Sequence, residues 1–146
     1  MKALTICQPY AHLIVVAKEK RVENRSWRTD YRGPLLIHAG KSRRWLSEGG
    51  VTRVETYIPG SAGRGFKRIS TADIEGREMT FGAIIGSANV VECAHIDDIR
   101  AGVYDVRFPW LKGHPHTEGE FCLVLDDVVQ FAHPIPLRGL LGLFNV

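Results

Sequence analysis

The sequence has few cysteines and no long apolar run. Its three cysteines, Cys7, Cys93 and Cys122, are an odd number at wide spacing, which favours reduced thiols in a cytoplasm over a disulfide framework. The longest apolar run, Leu13 to Ala17, has five residues, whereas a membrane-spanning helix needs about 20. The first residues lack the pattern of a secretion signal. We therefore expect a cytoplasmic protein without a membrane segment or a disulfide partner.

The composition is that of an ordinary globular protein, and the 146 residues predict one domain. The charges are unevenly distributed. Residues 1–80 hold 15 lysines and arginines against 8 acidic residues, while residues 81–146 hold 4 against 8. Arginine outnumbers lysine 13 to 6, and its guanidinium suits phosphate contacts and stacking on bases. The first half is interpreted either as facing a polyanion or as an ordinary solvated surface.

The hydrophobic pattern predicts about six strands and one or two short helices. Strands are expected at residues 3–6, 22–27, 35–39, 81–93, 120–130 and 140–146. Helices are expected from Pro9 to about residue 20 and over Arg43–Glu48 after the capping Ser42, and residues 97–101 are expected to form a single helical turn. Residues 51–80 are rich in glycine and basic residues, which indicates a long loop or insertion. The fold class is therefore α+β, mainly β, with a small curved sheet or barrel and the helices packed on it.

The segment Lys20–Trp27 carries the most chemistry for its length. In a strand, Glu23, Arg25 and Trp27 share one face, and Lys20 lies at the entrance of that strand. A carboxylate, a guanidinium and an indole on one side suit a flat, polar, partly anionic ligand. Nucleobases and nucleotides fit that description.

This segment resembles the central motif of the ASCH domain family, G-x-K-x-x-E-x-R, a branch of the PUA-like β-barrel superfamily. Lys20, Glu23 and Arg25 match the motif, and Lys18 stands at the position of its glycine. The likeness extends to residues 8–11, 26–28, 33–38, 82–86 and 136–144. The resemblance implies a single ASCH domain over 1–146, with an insertion at about 51–80.

The resemblance also implies a cleft between barrel and helix, lined by the lysine, glutamate and arginine of the motif. Proposed roles in the family include RNA or DNA binding, ribonuclease activity and removal of an acyl group from a modified cytidine. Fold alone does not choose among them. The acetylcytidine amidohydrolases of the superfamily carry K-x-x-T with a threonine nucleophile, and Glu23 stands at that position here. This argues against covalent amide hydrolysis.

The function we expect is binding of RNA, single-stranded nucleic acid or a nucleotide-like small molecule in a cleft lined by Lys20, Glu23, Arg25 and Trp27. Metal-independent ribonuclease activity could be added to binding, with Glu23 as base and the two cations stabilising phosphate charge. Lys20 is either such a catalytic group or one member of a structural ion-pair network. The alternatives are a small-molecule amidohydrolase acting on a modified nucleoside and a non-enzymatic adaptor that binds an acidic peptide.

Further candidates for ligand contact surround the motif. Aromatic residues could stack on a base or pack in the core, and basic residues could follow a phosphate backbone. The candidate binding residues are Tyr10, Arg25, Ser26, Trp27, Arg28, His38, Lys41, Arg43, Arg44, Arg64, Lys67 and Arg68. No metal or other cofactor is expected, because the histidines and cysteines lack a zinc-finger spacing and the glycine-rich segment lacks the lysine of a P-loop.

Overall fold

The computed structural model describes residues 1–46 and 79–146 in full, and two strands between them by their backbone. These residues form a curled six-stranded sheet in the shape of a half-barrel, a separate two-stranded sheet and two short helices. The expected α+β, mainly β class with a small barrel is thus confirmed. In this described part of the chain, every helix is too short to cross a bilayer.

The eight strands are distributed along the whole chain. They are β1 (Lys2–Ile6), β2 (Val22–Arg25), β3 (Gly33–Ala39), β4 (Val51–Tyr57), β5 (Arg64–Ser70), β6 (Ala83–His95), β7 (Phe121–Pro136) and β8 (Leu143–Asn145). The helices are α1 (Tyr10–Val15) and α2 (Ile96–Arg100). The large sheet has the order β2-β7-β6-β3-β1-β8. Its β1–β3 pair is parallel, and its other neighbours are antiparallel.

The helix α1 is held by packing rather than by its own length, since six residues are too few for a stable isolated helix. Its buried face, which includes Ile14 and Val15, joins the core formed by the sheet. At Gly86 of β6 the approach is so close that a Cβ atom would lie 2.3 Å from the Val129 carbonyl oxygen and 2.6 Å from Val15. A side chain there would push α1 away from the sheet. Because the site described below begins at the amino end of α1, this contact helps to position it.

The prediction of a helix over Arg43–Glu48 is wrong for residues 43–46, the part of this segment that the structure describes. Residues 43–46 form turns, with the Leu46 N–H bonded to the Arg43 carbonyl oxygen. The Ser42 hydroxyl accepts a hydrogen bond from the Arg44 N–H at 3.3 Å. Such a local bond stabilises a turn in competition with a helix. The rest of the expected helix, from residue 47, lies outside the described residues.

A long loop or insertion was expected over 51–80; the loop interpretation is wrong for residues 51–57 and 64–70, which form strands, and the insertion stays a prediction. Strands β4 and β5 lie within it and pair in antiparallel register, with Val51 opposite Ser70 and Tyr57 opposite Arg64. Strand β4 is rich in β-branched and aromatic residues, which favour strands, but the glycines and basic residues nearby dominated the sequence interpretation. The candidates Arg64, Lys67 and Arg68 belong to β5. Residues 58–63 and 71–78 of this segment lie outside the described residues.

Candidate functional site

A cavity of about 380 Å³ opens between β2, the end of β1, the start of α1 and the loop before β7. We call this cavity the hollow. Its size falls within the range of small-ligand pockets, roughly 300–1,000 Å³. Its described lining residues are Thr5, Ile6, Cys7, Tyr10, Lys20, Glu23, Asn24, Arg25, Trp45, His116, Glu118 and Gly119.

The three charged residues of the motif meet in one wall of the hollow, and we call them the motif triad. The Lys20 ammonium lies 2.7 Å from Glu23 Oε2 and also donates a hydrogen bond to the Val22 carbonyl oxygen. The Arg25 guanidinium lies 3.0 Å from Glu23 Oε1. Lys20 is 4% exposed and Glu23 8%. One carboxylate thus bridges two cations where water is largely excluded, so each charge depends on its neighbours.

A tight turn brings Lys20 into this wall. The backbone N–H groups of Glu19 and Lys20 both bond the Leu13 carbonyl oxygen at the end of α1, at 2.9 and 3.2 Å. Lys18 adopts φ 55°, in the left-handed region that glycine occupies without steric cost. Lys18 is the residue at the motif's glycine position. The lysine that replaces the motif's glycine therefore keeps the turn but strains the backbone at position 18.

Strand β1 fixes Arg25 from the other side. The Arg25 guanidinium donates a 2.9 Å hydrogen bond to the Thr5 carbonyl oxygen. The Thr5 hydroxyl lies 3.2 Å from Nδ1 of His38, and Nε2 of His38 lies 2.6 Å from the Leu137 carbonyl oxygen. A carbonyl oxygen only accepts, so Nε2 of His38 carries the hydrogen of the bond to Leu137. His38 is buried behind the wall, where it supports β1 and is absent from the hollow's lining.

Asn24 fastens the loop that forms the opposite wall. Its side-chain amide donates to the His116 carbonyl oxygen at 2.7 Å and accepts from the backbone N–H groups of Gly119 at 2.9 Å and Glu118 at 3.4 Å. A Cβ atom at Gly119 would lie 2.4 Å from Cβ of Asn24. Strand β2 therefore supplies one wall through Glu23 and Arg25 and holds the facing wall through Asn24.

Two aromatic rings border the hollow. Tyr10 and Trp45 meet edge to face with ring centroids 6.0 Å apart. The Lys20 ammonium lies 5.8 Å from the centre of the Tyr10 ring. Trp45 is 44% exposed and so can be reached from solvent. Tyr10 was among the sequence candidates, whereas Trp45 was missed; its position directly after two arginines was the available signal.

Trp27 lies elsewhere than the alternating pattern predicted. Strand β2 ends at Arg25, so the alternation of faces stops two residues before the tryptophan. Trp27 is half-buried and packs against the core, with its ring centre 5.9 Å from the Arg25 guanidinium. It does not line the hollow. Ser26 is exposed, and the exposed Arg28 pairs with Asp30 at 3.1 Å.

Three exposed cations follow β3 and lead toward the hollow; Lys41, Arg43 and Arg44 are called the basic rim. The Arg44 guanidinium lies 4.7 Å from the centre of the Trp45 ring, and that of Arg43 lies 4.1 Å from the Phe81 ring. The basic rim therefore places positive charge beside the hollow rather than inside it.

Two ionisable groups near Asn24 and Lys20 have shifted pKa values. Burial, together with the nearby His116, Lys20 and Arg21, lowers the pKa of His114 to about 4. Its Nε2 accepts a hydrogen bond from the Arg21 backbone N–H at 3.0 Å, which requires the neutral ring. Burial raises the pKa of Cys122 to about 11, so this thiol is unreactive at neutral pH.

The carboxylate of the motif triad is already engaged. Both oxygens of Glu23 are engaged by cations, which leaves this carboxylate poorly placed to accept a proton from a substrate. Among the described residues, no group of three or more histidine, cysteine, aspartate or glutamate side chains could hold a metal ion.

A family model for the ASCH domain matches residues 4–120. The chain therefore belongs to the ASCH domain family, as the motif predicted. The matched segment includes every described lining residue of the hollow, from Thr5 to Gly119. No curated protein matches this chain. ASCH domains are generally thought to bind RNA.

Proposed function

We propose that this ASCH protein binds single-stranded RNA and that the hollow receives one nucleotide unit of the strand. The observation that carries the proposal is the meeting of two cations, Lys20 and Arg25, with two rings, Tyr10 and Trp45, around one cavity. Cations and rings are the two features that single-stranded nucleic-acid sites combine. The fold brings these groups together, since Trp45 lies 20 residues beyond Arg25 in the sequence.

The aromatic border gives a surface for stacking. Base–aromatic stacking in single-strand sites contributes about 1–3 kcal/mol per base. Trp45 is exposed enough to receive a ring on its free face, and the stacked Arg44 extends the same platform. The basic rim then lies along the path that a strand leaving the hollow would take.

The test is binding of a fluorescent single-stranded oligoribonucleotide, followed by anisotropy at two salt concentrations. Trp45→Ala should weaken binding about tenfold through lost stacking, and Arg44→Ala should weaken it less but reduce the salt dependence. Arg28→Ala is the matched control, since Arg28 is an exposed arginine paired with Asp30 away from the hollow. Equal losses in all three variants, or no RNA binding by the native protein, would refute the proposal.

Ribonuclease activity stays a separate prediction from binding. Pure protein is incubated with end-labelled RNA beside the Lys20→Ala form. Cleavage by the native protein alone would add catalysis to the site, and equal cleavage by both would indicate a contaminating nuclease. The engaged oxygens of Glu23 favour binding without cleavage. Displacement of the RNA by an acidic peptide, independent of RNA sequence, would instead support the adaptor alternative.

A further inference from the structure

A second arginine–tryptophan pair lies beside the hollow, in addition to Arg44 on Trp45. The Arg21 guanidinium lies 3.8 Å from the centre of the Trp110 ring, closer than the 4.7 Å that separates Arg44 from the centre of the Trp45 ring. Arg21 directly follows Lys20 of the motif triad and is exposed. We call Arg21 and Trp110 the outer pair. A guanidinium at this distance from an indole is attracted to the ring even at an exposed site.

Two histidines connect the outer pair to the wall of the hollow. His116 lines the hollow, and its ring centre lies 5.7 Å from that of His114. The His114 ring in turn meets Trp110 edge to face at 5.4 Å, and its Nε2 accepts a hydrogen bond from the Arg21 backbone N–H at 3.0 Å. The outer pair is thus two ring contacts away from the cavity, and Arg21 is held at both its backbone and its guanidinium.

The Arg21 guanidinium has no acidic partner among the described residues. It forms neither a salt bridge nor a hydrogen bond with any part of the chain that the structure describes. Arg32 and Arg107, by contrast, both pair with Glu92. A planar guanidinium that a ring already holds in place loses less freedom when an anion binds. Arg21 is therefore a preorganised cation whose charge no carboxylate of the described chain neutralises.

We infer that Arg21 binds the phosphate next to the nucleotide in the hollow, on the side of the strand away from Arg44. The inference rests on the proposed RNA binding and names a second contact for the same strand. A strand with one nucleotide in the hollow carries a phosphate on each side of that nucleotide. Trp45 borders the hollow at one wall, and Trp110 belongs to the segment between α2 and β7 that supplies the facing wall. The two arginine–tryptophan pairs therefore suit phosphates on opposite sides of one nucleotide.

The first test is the salt dependence of RNA binding, measured by anisotropy with the fluorescent oligoribonucleotide. Arg21→Gln should weaken binding about three- to tenfold and reduce the salt slope by about 0.7, the value for one phosphate contact of a single strand. Arg21→Lys keeps the charge and should keep the slope. The matched control is Arg100→Gln, since Arg100 is exposed at the end of α2 and does not line the hollow. Its affinity and slope should equal those of the native protein.

A purely structural role for the outer pair gives a different result. If Arg21 only fastens the loop that contains Trp110, Arg21→Gln lowers the melting temperature and leaves the salt slope unchanged, which would overturn the inference. An equal loss of slope in Arg100→Gln would overturn it as well, because any exposed arginine would then serve. If the native protein does not bind the oligonucleotide at all, the proposed function fails and the inference fails with it.

The second test identifies the phosphate with a double-mutant cycle between protein and ligand. A uridine trinucleotide has two phosphodiester links, and each is replaced in turn by an uncharged methylphosphonate. In the native protein, the neutral link that faces Arg21 should weaken binding about three- to tenfold. In Arg21→Gln, the same neutral link should cost nothing further, while the effect of the other link stays as in the native protein. If both neutral links cost Arg21→Gln as much as they cost the native protein, Arg21 contacts neither phosphate and the inference is wrong.

Discussion

Two carboxylates in this protein are each bridged by two cations, and they differ in their surroundings. Glu23 joins Lys20 and Arg25 inside the wall of the hollow. Glu92 joins Arg32 and Arg107 at 2.6 Å each, but the two arginine side chains are 38% and 57% exposed. We call the second set the surface triad. The two carboxylates are similarly covered, with side chains 10% and 15% exposed, so the triads differ mainly in the exposure of their cations, and the physical consequences should diverge.

The exposure of the partners decides what each triad contributes. A surface ion pair contributes about 0–1 kcal/mol, since water and salt screen it. A buried ion pair costs desolvation when it forms, and removing one partner leaves the other charge stranded. The motif triad therefore adds little net stability and has to be held in place by the rest of the fold. The Thr5 carbonyl oxygen binds Arg25, and Asn24 holds the loop that faces the triad.

The largest expected effect follows from removing each bridging carboxylate. Glu23→Gln leaves two buried cations facing a neutral amide, and the free energy of unfolding should fall by about 3–5 kcal/mol. Glu92→Gln should cost about 1 kcal/mol or less. Guanidinium denaturation of both variants gives the comparison. Similar losses in the two would mean that burial does not distinguish the triads.

The next effect concerns the side chain between two members of the motif triad. Asn24→Ala removes three hydrogen bonds to the loop at 116–119 and should cost about 2–3 kcal/mol. The Gly119 amide should then exchange its hydrogen faster. The matched control is Asn89→Ala, because Asn89 bonds the exposed Asp127 side chain and should have little effect. An unchanged Gly119 exchange rate would show that Asn24 does not hold the loop.

The pH dependence of the free energy of unfolding also distinguishes the surroundings of the two triads. His114, beside the motif triad, has its pKa lowered to about 4, so the unfolded state binds a proton first as pH falls. Stability should be intact above pH 6.5 and should drop by about 1–3 kcal/mol between pH 6.5 and pH 4, allowing for partial exposure. In the variant His114→Gln, stability should change little between pH 6.5 and pH 4. A native-like slope in this variant would assign the pH dependence to another group.

The surface triad should lose its contribution to stability at a lower pH than His114 does. Burial alone would raise the pKa of Glu92, but the Cys93 N–H bond and the two arginines outweigh it and lower the pKa. Its contribution is therefore present above pH 4.5 and is lost as pH falls below that value. Denaturation of Glu92→Gln across the same pH range should show this step missing while the His114 step remains.

The smallest effect comes from the turn that leads into the motif triad. Lys18→Gly relieves the left-handed strain, and Lys18→Ala retains it, while both lose the same bond from Lys18 to the Val128 carbonyl oxygen. The glycine variant should be more stable than the alanine variant by up to about 1 kcal/mol, because the strain of a non-glycine residue is partly offset by glycine's unfolded-state entropy. Thermal melting measures this. An alanine variant as stable as the glycine variant would mean that the turn is not strained.

The sequence predicted the meeting of Lys20, Glu23 and Arg25 because their spacing is short and local. The residues of the facing wall are more than 90 positions away from Asn24, and local patterns hold no information on such pairings. Trp27 was misplaced because strand β2 is shorter than its alternation indicated. Hydrophobic periodicity predicts that a strand exists better than it predicts where the strand ends.

His38 illustrates a second limit of sequence reasoning. A histidine on an apolar strand close to the motif was a reasonable candidate for ligand contact. Its two ring nitrogens instead join β1 to the segment after β7, through Thr5 and Leu137. The partners lie 33 and 99 residues away, so only the folded chain shows that both nitrogens are occupied.

Strand β7 has a practical consequence for anyone who trims this protein for expression. The family match ends at residue 120, and β7 begins at Phe121 and lies between β2 and β6. A fragment cut at the matched boundary would keep the whole motif but would strip β2 of its partner strand and remove β8 as well. Boundaries drawn by homology alone would therefore yield an insoluble or unfolded product, and the tail beyond residue 120 belongs in any working fragment.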